Sequence, residues 1–144
     1  MYTHGITFGG HPVQCAVALK NIEIMKRERT VEHVRASEGA FRAKLETLLD
    51  LPIVGDVRGT GFFYAVELVK DRETRTTFDD DECEELLRGF LSPRLFEAGL
   101  ICRQDDRGDP VVQISPPLVA GEAEMDELVG ILGDVLAEAG RRMR

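Results

Sequence analysis

Cysteine is scarce in this 144-residue chain. Cys15, Cys83 and Cys102 are odd in number and widely spaced, with no Cys-x-x-Cys pair. That excludes a disulfide framework and points to a reducing compartment. A basic face is also missing: 18 Lys and Arg stand against 26 Asp and Glu, a net charge of -8. Nothing therefore marks a nucleic-acid surface. No apolar run is long enough to span a bilayer, and no signal-peptide pattern is visible. The expectation is a cytoplasmic protein with neither nucleic acid nor membrane as partner. His4, His11 and Cys15 match no zinc spacing and have no second ligand pair, so no metal site is expected. "RGTG" at 58–61 precedes a strand instead of opening a helix, so it is no dinucleotide fingerprint. "GGH" at 9–11 lacks the Lys-Ser/Thr of a phosphate-binding P-loop.

What is present is an ordinary globular composition, 43% hydrophobic and 31% charged, long enough for one domain with its own core. A first helix is expected from near His11, with Pro12 at its first position. Val13, Ala16, Val17 and Ile24 recur at helical spacing, and Cys15, Ala18 and Leu19 widen the apolar surface. The reading is a helix buried on more than one side. Thr30 is the expected N-cap of a second helix, with Val31, Val34, Phe41, Leu45 and Leu48 inward and Leu51-Pro52 as its end. His33 falls on a polar face and is expected to be exposed. "VRGTGFFYAVELV" reads as one strand entered through Gly59 and Gly61.

A third helix is expected over 79–98, opened by Asp79, Asp80 and Asp81, kinked or split by Pro93 and capped by Gly99. "LICRQ" and "VVQIS" are short strands, with "DDRGD" between them as a hairpin turn. Pro116-Pro117 stops the second, and a last helix covers about 121–140. The order predicts an α+β domain with helices packed on one small mixed sheet.

Two stretches carry candidate chemistry. In "HGITFGGHPVQCAVAL", residues 4–19, glycines expose backbone N–H groups and the Thr7 hydroxyl adds a donor, which suits a phosphate oxygen. A tight turn in which Thr7 caps a local group fits equally. Arg103, at the end of the strand in "GLICRQ", has the planar fork that binds a carboxylate. It fits equally a surface arginine paired with Asp105 or Asp106.

"HGITFGGHPVQCAVALKNIEIM" resembles the segment joining the large and small domains of class III aminotransferases, pyridoxal-phosphate enzymes of fold type I. "VGDVRGTGFFYAVELVKDRETR" resembles the next block of that family, and "GLICR" with "VVQISPPL" the one after. The blocks keep family order and spacing, so the resemblance covers essentially the whole chain. It implies that residues 1–29 are the end of a large domain and the interdomain helix, with a cofactor-phosphate loop at 4–11. Residues 30–144 would be the C-terminal small domain. Thr7 matches the threonine that binds the phosphate of pyridoxal 5'-phosphate in the neighbouring subunit of a homodimer. Ile6 matches a position lining the partner's site. Arg103 matches the mobile arginine of the ω-amine:pyruvate branch, which binds the carboxylate of an amino or keto acid and swings out for an amine. Gln113 stands where ornithine- and 4-aminobutyrate-type enzymes carry arginine. Diaminopelargonate-forming enzymes also carry an arginine near the position of Arg103, so both types stand as alternatives within the family.

Transamination needs a lysine joined to the cofactor and an acidic partner for its ring nitrogen. In the family both lie upstream of the threonine. Lys20, Lys26 and Lys44 fall on helices among polar neighbours, and Lys70 adjoins Asp71 at a strand exit. None has the desolvated setting that lowers a lysine pKa, so no catalytic residue is assigned. The expectation is the C-terminal part of an aminotransferase acting on amine or amino-acid donors and keto acids, inactive alone. The alternative is a stand-alone interaction module or the subunit of a split enzyme.

Overall fold

The computed structural model describes residues 5, 7, 9–105 and 110–143. Helix α1, Pro12–Arg27, begins with Pro12 in its first turn. It reverses through Glu28 and Arg29 into α2, Thr30–Glu46. Arg29, not Thr30, holds the N-cap position, at φ 55°. With only two residues between the helices, one must turn left-handed, and Thr30 becomes a buried helical residue. A 3-10 turn, Thr47–Asp50, leads into the sheet.

The stretch expected to be one strand is a hairpin: β1, Val54–Thr60, and β2, Phe63–Leu68. Gly61, at φ 59°, opens its two-residue turn, where positive φ matches the strands' twist. Its N–H donates to Glu38 on α2 (3.0 Å). Gly59 lies opposite Tyr64, and a Cβ there would meet the Phe63 carbonyl oxygen at 2.2 Å. The Arg72 guanidinium donates to the carbonyls of Leu49, Leu51 and Val54, closing the hairpin's base against the 3-10 turn.

The third helical run spans 80–97 in three parts: α3, Asp80–Cys83, a π-helical segment, Glu84–Leu91, and α4, Ser92–Glu97. Asp79 accepts from the Glu82 N–H while the Glu82 carboxylate accepts from the Asp79 N–H, a complete capping box. Pro93 neither breaks nor splits the run. The preceding turn widens, so that the Ser92 N–H reaches the Leu87 carbonyl. Gly99, at φ 92°, ends the run: Leu100 N–H bonds the Leu95 carbonyl and Gly99 N–H that of Phe96, a Schellman cap.

Strands β3, Arg103–Asp105, and β4, Val111–Ile114, follow, and α5, Glu122–Arg142, closes the fold. The expected turn at 106–109 lies outside the described residues. The sheet order is β1-β2-β4-β3, and every pairing is antiparallel. The sheet is thus not mixed: the missed hairpin supplies the strand that makes all neighbours antiparallel.

Alternation along the strands divides the sheet. Val57, Tyr64, Val66, Leu68, Val112 and Ile114 are buried with Phe41 and Leu45 of α2, the π segment's leucines, and Leu132, Val135 and Leu136 of α5. The opposite face carries the row Arg58, Ala65, Gln113 and Arg103, register partners across all four strands. His33 is half-buried, contrary to expectation. Its Nε2 lies 2.9 Å from the Ala120 carbonyl and its ring packs edge-on to Phe62, tying α2 to the loop before α5. Helix α1 departs furthest from its expected burial. None of its residues is buried, and Val13, Val17, Leu19 and Ile22 are exposed. Among the described residues, α2 is the element that α1 chiefly packs against.

Candidate functional site

Antiparallel pairing brings the start of β3 and the end of β4 to one end of the sheet, beside the start of β2. The Schellman cap delivers residues 99–102 there, and Pro116-Pro117 carries the chain from β4 toward α5. A cavity of about 780 Å³ lies at this end. Its walls include Phe63, Ile101, Cys102, Ile114, Pro116 and Val119, with Leu128 and Ile131 of α5. Arg103 and Gln113 also line it.

Arg103 and Gln113 are direct cross-strand partners. The Arg103 side chain is 60% exposed, whereas that of Asp105 is only 7% exposed. Arg103 Nη2 lies 2.9 Å from Asp105 Oδ2, and Gln113 Nε2 makes a long 3.5 Å contact with the same oxygen. Two readings of Arg103 were open in the sequence, a carboxylate-binding group or a surface ion pair. The ion pair is present: the guanidinium is paired with Asp105 and lines a mostly apolar cavity.

Cys102 also lines the cavity, and burial pushes its thiol up to about 11. It therefore stays a protonated thiol at neutral pH, unsuited as a nucleophile. None of the four lysines lines the cavity. Lys20 pairs with Glu23 at 2.9 Å. Lys44 is bonded to Asp126 and Lys70 to Glu82, and these hydrogen bonds raise both ammonium pKa values. That is opposite to what a nucleophilic lysine requires.

Thr7 is exposed in a turn with Gly9 and Gly10, the latter at φ 79°. A Cβ on Gly5 or Gly10 would meet nothing within 4 Å, so the described part of the loop stands open. Thr7 does not line the Arg103 cavity; Ile6 and His4 lie outside the described residues. Among the described residues no group of three His, Cys, Asp or Glu is placed to hold a metal ion, and no helix is long and apolar enough to cross a membrane. Two features of the site escaped the sequence: the buried setting of Asp105 and the contribution of Phe63. The second could have been found by reading "GTGFF" as a turn, which places Phe63 at a strand start.

The chain matches the family model described as aminotransferase class-III over residues 1–136. It is 56% identical over 142 residues to a probable aminotransferase of Mycobacterium tuberculosis, covering 99% of this chain and 30% of that protein. It is 42% identical over 129 residues to the putrescine–pyruvate aminotransferase of Pseudomonas aeruginosa, covering 89% and 27%. The crystal structure of the PMP-bound form of an aminotransferase from Vibrio fluvialis superposes with a TM-score of 0.84 at 33% identity, over 100% of this chain and 30% of that one. The chain thus spans about 30% of the length of the curated relatives it matches.

Proposed function

Because the chain belongs to the class III aminotransferase family, we propose that it is the C-terminal portion of an enzyme moving an amino group from an amine or amino acid to a keto acid. Pyridoxal 5'-phosphate supplies the carbonyl and electron sink for that transfer when bound. The observation that carries the reading is the Arg103 guanidinium at a mostly apolar cavity of about 780 Å³. An arginine there binds the carboxylate of an amino or keto acid through paired N–H donors. The apolar walls receive the carbon skeleton of an amine. Likeness to a putrescine–pyruvate aminotransferase supports a primary amine as donor. Gln113, neutral and turned to Asp105, supports this over the ornithine and 4-aminobutyrate types.

The residues of this chain that suit the cofactor are few. Thr7 presents a hydroxyl in an open glycine turn, as a phosphate oxygen requires. In the proposed homodimer it serves the partner subunit's cofactor. The covalent lysine is not among the four present; it belongs to the additional length that the relatives carry. The exposed apolar residues of α1 support the same division, since they suit packing against such a domain. A cytoplasmic setting completes the proposal.

Arg103→Ala tests it in the intact enzyme, with the two half-reactions followed separately. Losing a charge-assisted hydrogen-bonded pair raises KM for the keto acid about 10- to 100-fold. KM for a carboxylate-free amine should move less than about threefold. An equal loss in both half-reactions sinks the assignment.

A further inference from the structure

Arg103 and Asp105 are two residues apart on one strand, which puts their side chains on the same face. Gln113 lies directly across from Arg103 on that face. The next position in the row is Ala65, small enough to leave the arginine room. The Asp105 carboxylate is the most buried part of this group, and Oδ2 takes both the guanidinium at 2.9 Å and the Gln113 amide at 3.5 Å. We propose that Asp105 is a positioning residue: it holds the Arg103 guanidinium beside the cavity, and any substrate carboxylate must compete with it. Asp105 thereby sets how strongly the site prefers carboxylate-bearing over carboxylate-free substrates. This rests on the reading of Arg103 as the carboxylate-binding group.

The geometry explains how one arginine serves two substrate classes. Its side chain is mostly exposed, so it can rotate about its flexible stem while Asp105 stays fixed by burial. When the guanidinium leaves, the carboxylate keeps the Gln113 N–H as a donor, which limits the penalty for a buried charge losing a partner. When no substrate carboxylate is present, the pair reforms. The positive charge is then neutralised, and the apolar walls of Phe63, Leu128 and Ile131 receive the substrate. Gln113 and Arg103 thus share one carboxylate oxygen, and the amide takes up part of the negative charge that holds the arginine.

Opposite variants in the intact holoenzyme test this. Asp105→Asn keeps the shape and removes the charge. KM for the keto acid should fall about fivefold, the scale of a half-exposed ion pair, with the change in KM and not in kcat. Asp105→Glu should recover part of the wild-type ratio of amine to keto-acid KM. Gln113→Leu removes the competing donor and should shift that ratio the other way, raising keto-acid KM. It also keeps the proposal exposed to test if Asp105→Asn folds poorly. If Arg103→Ala raises keto-acid KM but neither Asp105→Asn nor Gln113→Leu shifts the ratio, the positioning role is wrong and the arginine assignment survives. If Arg103→Ala leaves keto-acid KM unchanged, the assignment and this inference both fall.

Discussion

Phe41→Ala should destabilise the chain by about 3–5 kcal/mol, the range for removing a buried aromatic side chain. Phe41 is completely buried and sits where α2 meets the hairpin. Its ring packs edge-on to Phe62 and to Tyr64, both with centroids 5.6 Å away. One truncation therefore removes two aromatic pairs, each worth roughly 0.5–1.5 kcal/mol beyond burial, and leaves a void between a helix and a sheet. Neither wall collapses easily, because the hairpin is also held by Glu38 at Gly61. In urea the midpoint should drop with the slope unchanged, and Tm should fall by roughly 10–17 °C. Phe41→Leu, which keeps most of the volume, should cost under half as much. A Phe41→Ala loss below about 1 kcal/mol would mean that the α2–hairpin contact is not part of the stable core.

Gly59→Ala should rank next, with a loss of about 3 kcal/mol. The reason is steric, not conformational: Gly59 has no positive φ. The added carbon would sit 2.2 Å from the Phe63 carbonyl oxygen and 2.7 Å from Tyr64 Cα. Both are backbone atoms of the paired strand and cannot rotate away, so the hairpin must open or slide. Sliding displaces Tyr64 from the core and Phe63 from the cavity together. Gly130→Ala in α5 is the matched control. A Cβ there meets nothing within 4 Å, and alanine at this exposed helical position should stabilise the fold by about 0.5–1 kcal/mol. Equal tolerance at both glycines, measured by chemical denaturation, would contradict the packing across this hairpin.

The sequence disclosed the helices well wherever period and punctuation agreed. The run expected over 79–98 is found at 80–97, and the last helix, expected to 140, reaches Arg142. The hairpin was hidden because its two turn residues, Gly61 and Phe62, interrupt the apolar pattern too briefly to register as a break. Missing it also produced the wrong sheet type. Pro93 predicted a kink or a split because the α-helical rule counts one register only, and the helical run passes through it unsplit. A π turn upstream changes which carbonyl the missing N–H would have met. The exposure of α1 lay beyond any reading of pattern, since apolar spacing reports that a face wants cover and not which chain supplies it. At the candidate site, Arg103 was visible as a residue type. The buried carboxylate beside it was not, because burial of Asp105 is a tertiary property that no local spacing encodes.

The two faces of the sheet have one more consequence. Along each strand, neighbouring positions answer to different physical demands. Tyr64, Val66, Val112 and Ile114 are under constraint from the interior, while Phe63, Ala65, Gln113 and Arg103 face outward between them. The outward positions can therefore change without disturbing the residues that keep the domain folded. A library confined to the outward parity of β2, β3 and β4 should retain a larger share of folded members than one of equal size spread over consecutive positions.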